Sequence, residues 1–321
     1  MGLIVIKPGW QTLIMDLGRE DARPWGVPKS GALDPHQYQW ANILVGETAE
    51  RIGRTPVLEI RSGNVILEFD EDHLFVMTGS PGEYELDGKR INTYSPSLAK
   101  KGQRLHIRNL YRNGTIYLAV NGNWELPSYW GSYSSDILSP LPGLGGRALL
   151  QHDRISISSS SITFDYFKRL TPNHMKREPE QFDPVFRIIG GPELNLSEEK
   201  LKKILEDSDF TILRNSNRMG YRLQSSISKK IRLPEIISSI VTPGMIQWTP
   251  GNQPILLLPN CQTTGGYPRV AKVIEADLWK LAYTGPGDSI RFLWSTPDEA
   301  RYLMEYQQGQ FEIAWRNISS S

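Results

Sequence analysis

After a hydrocarbon-rich run, ILLLPNC at 255–261, the sequence Gln262-Thr263-Thr264-Gly265-Gly266-Tyr267-Pro268 gathers a carboxamide, two hydroxyls and a phenol around a pair of glycines. Gln262 can both donate and accept, Thr263 and Thr264 add hydroxyls, and Gly265 and Gly266 let a backbone approach a ligand closely or take positive φ. Such chemistry suits an amide or carboxylate ligand and contains no general base. The plainer alternative is a tight connection leaving a buried strand.

Three other stretches combine glycine with polar groups. In Trp25–Asp34, a Gly- and Pro-shaped turn feeds a helix whose free N–H groups could hold an anion beside Lys29 and Ser30. Asp34 could equally cap that helix. In Gly131–Asp136, the hydroxyls of Ser132 and Ser134 could orient a polar substrate, although Ser/Asp turns need no ligand. In Ser216–Leu223, Arg218 and Arg222 flank a glycine and Tyr221 and could grip a carboxylate or phosphate through paired N–H donors. A solvated arginine pair is the alternative there.

Familiar catalytic signatures are missing. The chain has no phosphate-binding G-x-x-x-x-G-K-[ST], no G-x-S-x-G and no H-E-x-x-H. Its five histidines, at 36, 73, 106, 152 and 174, stand singly, so no metal site is expected and no catalytic residue is assigned. The single cysteine, Cys261, reads as a small buried residue after a strand, with a reactive thiol as the alternative.

Positioning these groups falls mainly to strands. NVILEF (64–69), HLFVMTG (73–79), RLHIRNL (104–110), TIYLAV (115–120), VFRIIGG (185–191), FTILRN (210–215), PILLLPN (254–260) and DSIRFLW (288–294) are short, rich in β-branched or aromatic residues and bounded by turn formers. Helices are expected after Asp34, after Ser197 and after Thr296, where Thr296-Pro297-Asp298-Glu299 has the form of a capping box. No regular alternation of strand and helix suggests a doubly wound nucleotide-binding fold. The charged, proline-bearing stretch 167–184 predicts a domain junction, dividing the 321 residues into 1–175 and 176–321. With 36 basic and 35 acidic residues, the balance gives no electrostatic footprint for nucleic acid or a membrane surface. MGLIVIKPGW has neither an export leader nor a myristoylation pattern, so a cytoplasmic protein is expected.

Taken in order, DLGR (16–19), GVPKSGALD (26–34), GSYSSD (131–136), GGR (145–147), GGPE (190–193), NRMGYRL (217–223), PGMIQ (243–247) and QTTGGYPRVAKVIEADL (262–278) resemble the 5-oxoprolinase C-subunit family. This biotin-dependent carboxyltransferase-like family also holds allophanate hydrolase subunit 2, an antagonist of a sporulation kinase inhibitor and the carboxyltransferase region of urea carboxylase. The resemblance implies a mainly β chain of two tandem cyclophilin-like β-barrel domains with a few covering helices. It implies one component of an ATP-dependent 5-oxoprolinase-like amidohydrolase, opening 5-oxo-L-proline to L-glutamate with a B-subunit-like, kinase-inhibitor-like partner and an A-subunit-like protein. ATP would be a co-substrate of that complex, with no stably bound cofactor. Alternatives are a non-catalytic regulatory protein for a kinase-inhibitor-like partner, or a carboxyltransferase or allophanate hydrolase component acting on urea-like amides. The chain departs from the family pattern at Tyr133, where arginine is expected, at Asn217 and Asn260, where acids are expected, and at Asn123, where a glycine is expected.

Overall fold

In the computed structural model, residues 2–48, 50–61, 63–139, 141–158, 184–194, 198–226 and 231–319 are described. The junction expected at 167–184, and with it the boundary at 175, falls almost wholly outside them. Two compact units emerge. The first comprises Met1–Arg19, Ser30–Gln181 and Trp315–Ser321, and the second Glu20–Lys29 and Phe182–Ala314.

The first unit holds β1 (Leu3–Pro8), β2 (Gln11–Met15), β3 (Val57–Arg61), β4 (Val65–Phe69), β5 (His73–Gly79), β6 (Glu83–Leu86), β7 (Lys89–Arg90), β8 (Ser97–Ala99), β9 (Arg104–Arg108), β10 (Thr115–Val120), β11 (Asn123–Trp124), β12 (Arg154–Ile155) and β13 (Ile157–Ser158). One sheet runs β12-β1-β4-β9-β6-β7 and another β2-β3-β10-β5-β8. Their shared core includes Leu3, Val5, Leu67, Phe69 and Ile107 from the first sheet and Ile60, Phe75, Met77, Ile116 and Leu118 from the second.

Burial explains the sequence patterns. β3, β5 and β10 are buried at every position, because one face meets the core and the other lies under the helix α1 (Pro35–Leu44). β5 and β10 accordingly read as nearly continuous apolar runs, whereas β3 carries the buried Glu59 and Arg61. β4, covered on one face only, alternates.

The second unit holds β14 (Val185–Gly190), α2 (Glu198–Asp207), β15 (Phe210–Ile212), β16 (Gly220–Ser225), β17 (Ser239–Ile240), β18 (Met245–Trp248), β19 (Pro254–Leu257), β20 (Thr264–Gly265), β21 (Arg269–Val273), β22 (Ser289–Trp294) and most of α3 (Pro297–Ser319). Seven strands close in the order β14-β21-β18-β19-β16-β15-β22. The ring is sealed by parallel pairing of β14 with β22, Val185 opposite Arg291, while its other strand pairs are antiparallel. Closure removes the exposed strand edges that an open sheet would present. The fold is thus mainly β, with few helices. The helix starts behave as expected: Asp34 accepts from the N–H groups of His36 (3.1 Å) and Gln37 (3.2 Å), and Thr296 Oγ1 accepts from Glu299 N–H (3.2 Å).

Candidate functional site

The four polar stretches meet different fates. In the first unit, the serine loop is turned inward. Asp16, DLGR's buried acid, accepts from Ser132 Oγ (2.7 Å), Ser134 Oγ (2.5 Å) and the N–H groups of Gly18 (2.8 Å) and Tyr133 (2.6 Å). Ser134 Oγ in turn accepts from Asp16 N–H (2.9 Å), and the wholly buried Arg19 donates to the Ser134 carbonyl. Burial lowers the Arg19 pKa from its ordinary value, while Asp136 and Asp16 pull it back up. Both serines that the sequence offered as substrate groups are fully buried and bonded to Asp16. Tyr133 packs its ring against the apolar core.

The turn before α1 is equally engaged. Ser30 takes φ +58° and Gly31 φ +100°, where a Cβ would lie 2.8 Å from the Leu17 carbonyl, so glycine is required there. Ser30 Oγ donates to the Ser135 carbonyl (3.1 Å), Leu33 N–H to Glu59 (2.8 Å) and Asp34 N–H to the Tyr117 hydroxyl (2.7 Å). Lys29, in the second unit, pairs with Glu20.

In the second unit, the two arginines are not brought together. Arg218 is buried at the turn before β16, and its Nε donates to Asn260 Oδ1 (3.0 Å); Arg222, on β16, is exposed. Between them Tyr221 is buried, its hydroxyl within bonding distance of the carbonyls of Leu281 (3.0 Å) and Thr284 (2.7 Å). Strand alternation accounts for the buried Tyr221 and exposed Arg222. Asn217 shapes the turn by accepting from Met219 N–H (2.8 Å).

The loop from Gln262 to Tyr267, joining β19 to β21, differs. Its backbone is held on one side by pairing of β20 with β17, Gly265 opposite Ser239. On the other side stands Gln247 of β18, 1% exposed, whose Nε2 donates to the Tyr267 carbonyl (3.2 Å) and whose Oε1 accepts from Gln262 Nε2 (3.4 Å). A Cβ at Gly265 would lie 2.6 Å from Gln247 Nε2. Close approach, not positive φ, is therefore what Gly265 provides. The fork pair of Arg269 with Glu193 (2.6 and 2.9 Å) joins the QTTGGYPR and GGPE motifs, and Arg269 Nη1 also donates to the Ile240 carbonyl (2.7 Å). Among the described residues, the Gln262 carboxamide oxygen and the hydroxyls of Thr263, Thr264 and Tyr267 bond to nothing. Polar capacity left over on a braced loop is what a binding site requires.

Gln247, Arg269 and Glu193 lie within the motifs PGMIQ, QTTGGYPR and GGPE, but are not among the residues assigned to the site from the sequence. A carboxamide between Ile246 and Trp248 in an apolar strand is the available signal for Gln247. Substituting alanine at Gly265 is expected to push Gln247 off Gln262 and cost about 1–3 kcal/mol, read as a lowered urea midpoint.

Cys261 is fully buried with Val241 and Leu257. Burial pushes its thiol up to about 11, and Arg23 nearby pulls back only part of that rise. The expected outcome is no labelling by a maleimide at about pH 7.5 in the folded protein and one label per chain in urea. Among the described residues, no group of three His, Cys, Asp or Glu could hold a metal ion, and no helix is long and apolar enough to cross a membrane.

The molecule is therefore a mainly β chain that displays a loop of carboxamide and hydroxyl groups on a closed barrel. Residues 25–294 match the carboxyltransferase domain, subdomain A and B, and the chain belongs to that family. It is 36% identical over 315 residues to the 5-oxoprolinase C-subunit of Escherichia coli (strain K12), covering 98% of both chains. It is 32% identical over 290 residues to the protein of that name from Haemophilus influenzae, covering 90% of both. Its fold matches the K. lactis urea amidolyase with a TM-score of 0.84 at 25% identity, over 98% of this chain and 20% of that one. The chain thus spans about a fifth of that larger enzyme.

Proposed function

We propose that the chain is one component of an ATP-dependent 5-oxoprolinase-like amidohydrolase, acting with a B-subunit-like and an A-subunit-like protein to open 5-oxo-L-proline to L-glutamate. The observation that carries this reading is the end-to-end likeness to the 5-oxoprolinase C-subunit, 36% identical over 98% of each chain. The site agrees in kind. A braced carboxamide with neighbouring hydroxyls binds an amide without needing a metal ligand. ATP enters as a co-substrate of the complex, and the setting is cytoplasmic.

The test is co-purification with the B-like partner, followed by ATP-dependent conversion of 5-oxoproline with the A-like protein added. Turnover that requires all three chains supports the reading. A stable complex without turnover on 5-oxoproline sinks it.

A second reading has one observation in its favour. Asn260, a neutral carboxamide where the family pattern has an acid, accepts from the buried Arg218. Without that acid the chain becomes a binding or regulatory module for the kinase-inhibitor-like partner, or a component acting on urea-like amides. Asn260→Asp distinguishes these possibilities: a gain of turnover marks the wild-type chain as a module that has lost catalysis, and no gain leaves the enzyme reading ahead.

A further inference from the structure

Gln262 carries one end of a short hydrogen-bond chain whose sense is fixed at the other end. The Tyr267 carbonyl can only accept, so the Gln247 carboxamide turns its Nε2 toward it (3.2 Å). Gln247 Oε1 then faces Gln262, which presents an N–H to it (3.4 Å). Gly265, with no Cβ, lets the loop backbone lie directly against that carboxamide, where a Cβ would come within 2.6 Å of Gln247 Nε2. One N–H of Gln262 is thereby engaged. A second N–H is left on the same carboxamide as the carbonyl oxygen, and among the described residues that oxygen has no partner.

A donor beside an acceptor is complementary to an amide whose own N–H and C=O lie on the same side. An ordinary peptide bond is trans and holds these groups on opposite sides. A lactam is held cis by its ring, and urea offers the same edge because its nitrogens carry two hydrogens each. We propose that Gln262 pairs with the cis-amide edge of the substrate through two hydrogen bonds, and that Gln247 is the positioning residue that presents Gln262 in the pairing orientation. This rests on the amidohydrolase reading and adds to it the residue that recognises the amide edge and the residue that orients it. Trans peptides and N-alkylated lactams lack the edge and are rejected, because an unmatched donor and acceptor lose both bonds.

The experiment compares 5-oxo-L-proline with 1-methyl-5-oxo-L-proline, in which a methyl replaces the lactam N–H, using the complex of the chain with its partners and ATP. For wild type, the methyl analogue is expected to compete at least about tenfold more weakly than 5-oxoproline binds. Gln262→Met, a half-exposed site where folding is not at stake, is expected to raise KM for 5-oxoproline about 10–100-fold with kcat within about threefold, and to erase the preference for the unmethylated lactam. Gln247→Met is expected to raise KM in the same sense. A structural role alone would leave the preference for the unmethylated lactam intact. Equal affinity for the two compounds in wild type, or an undiminished preference in Gln262→Met, overturns the pairing.

If the wild-type complex does not turn over 5-oxoproline, the proposed function fails separately. The pairing is then read by equilibrium binding of urea and tetramethylurea to the chain. Urea-selective binding that Gln262→Met abolishes upholds it, and equal or absent binding of the two overturns it.

Discussion

Replacing Asp16 with alanine is expected to cost about 3–5 kcal/mol, enough to leave the first unit unfolded at about 37 °C or to confine the chain to inclusion bodies. The carboxylate is buried and collects four hydrogen bonds, from Gly18 and Tyr133 N–H and from the Ser132 and Ser134 hydroxyls. Removing it leaves each of those donors without its acceptor in a site closed to water, and a stranded buried donor costs more than its bond contributed. It also takes one of two acids from beside the buried Arg19 guanidinium. Asp16→Asn is not expected to rescue, because its NH2 would meet a backbone donor in either orientation, Gly18 N–H on one side or Tyr133 N–H on the other. Ser134→Ala, which removes one spoke only, is expected to lower stability by about 1–2 kcal/mol. Urea midpoints for the three variants provide the check. Near-wild-type stability in Asp16→Ala would mean that the serine loop is not held by this carboxylate.

The same network is invisible to any local reading of the sequence. Ser132 and Ser134 have the composition of a ligand loop, and their true acceptor lies 116 and 118 residues earlier in the chain. No local pattern carries that pairing, whereas the family motif DLGR places the acid without saying what it holds. Arg222 is legible, since alternation along GYRLQS puts it opposite Tyr221 and Leu223. QTTGGYP is legible as a loop with available polar groups, but its brace is not, because Gln247 comes from a different strand. Among the strands, HLFVMTG and TIYLAV are recognisable because burial on both faces leaves an unbroken apolar run. VLEIR, MIQW and RVAKV escape recognition for the opposite reason: each carries polar residues inside the run, and two of these have structural work within the fold. Glu59 holds the turn before α1, and Gln247 braces the loop.

Asp277→Ala is expected to cost about 3–4 kcal/mol and to remove much of the acid sensitivity of the barrel unit. Asp277 is wholly buried and accepts from Arg187 Nη2 (2.6 Å), Nε (3.0 Å) and N–H (2.8 Å), with Lys280 3.2 Å away. Burial alone would raise its pKa. The Arg187 bonds and the Lys280 and Arg187 charges outweigh that and hold it below its ordinary 3.8. Glu193, bonded by Arg269, is likewise held below its ordinary 4.5. A folded-state pKa below the unfolded one means that the unfolded chain binds more protons between the two values, so stability rises with pH across that window. The contribution of these pairs is complete above the unfolded values of 3.8 and 4.5 and is lost as the pH falls through the lower folded-state values. The wild-type urea midpoint is therefore expected to be flat from about pH 7 to about pH 5 and to fall steeply below about pH 4.5. In Asp277→Ala the midpoint starts lower at neutral pH, because Arg187 and Lys280 have lost their counter-charge, and its descent in acid is shallower. Parallel wild-type and variant curves throughout the acid range would show that Asp277 is not a source of that dependence.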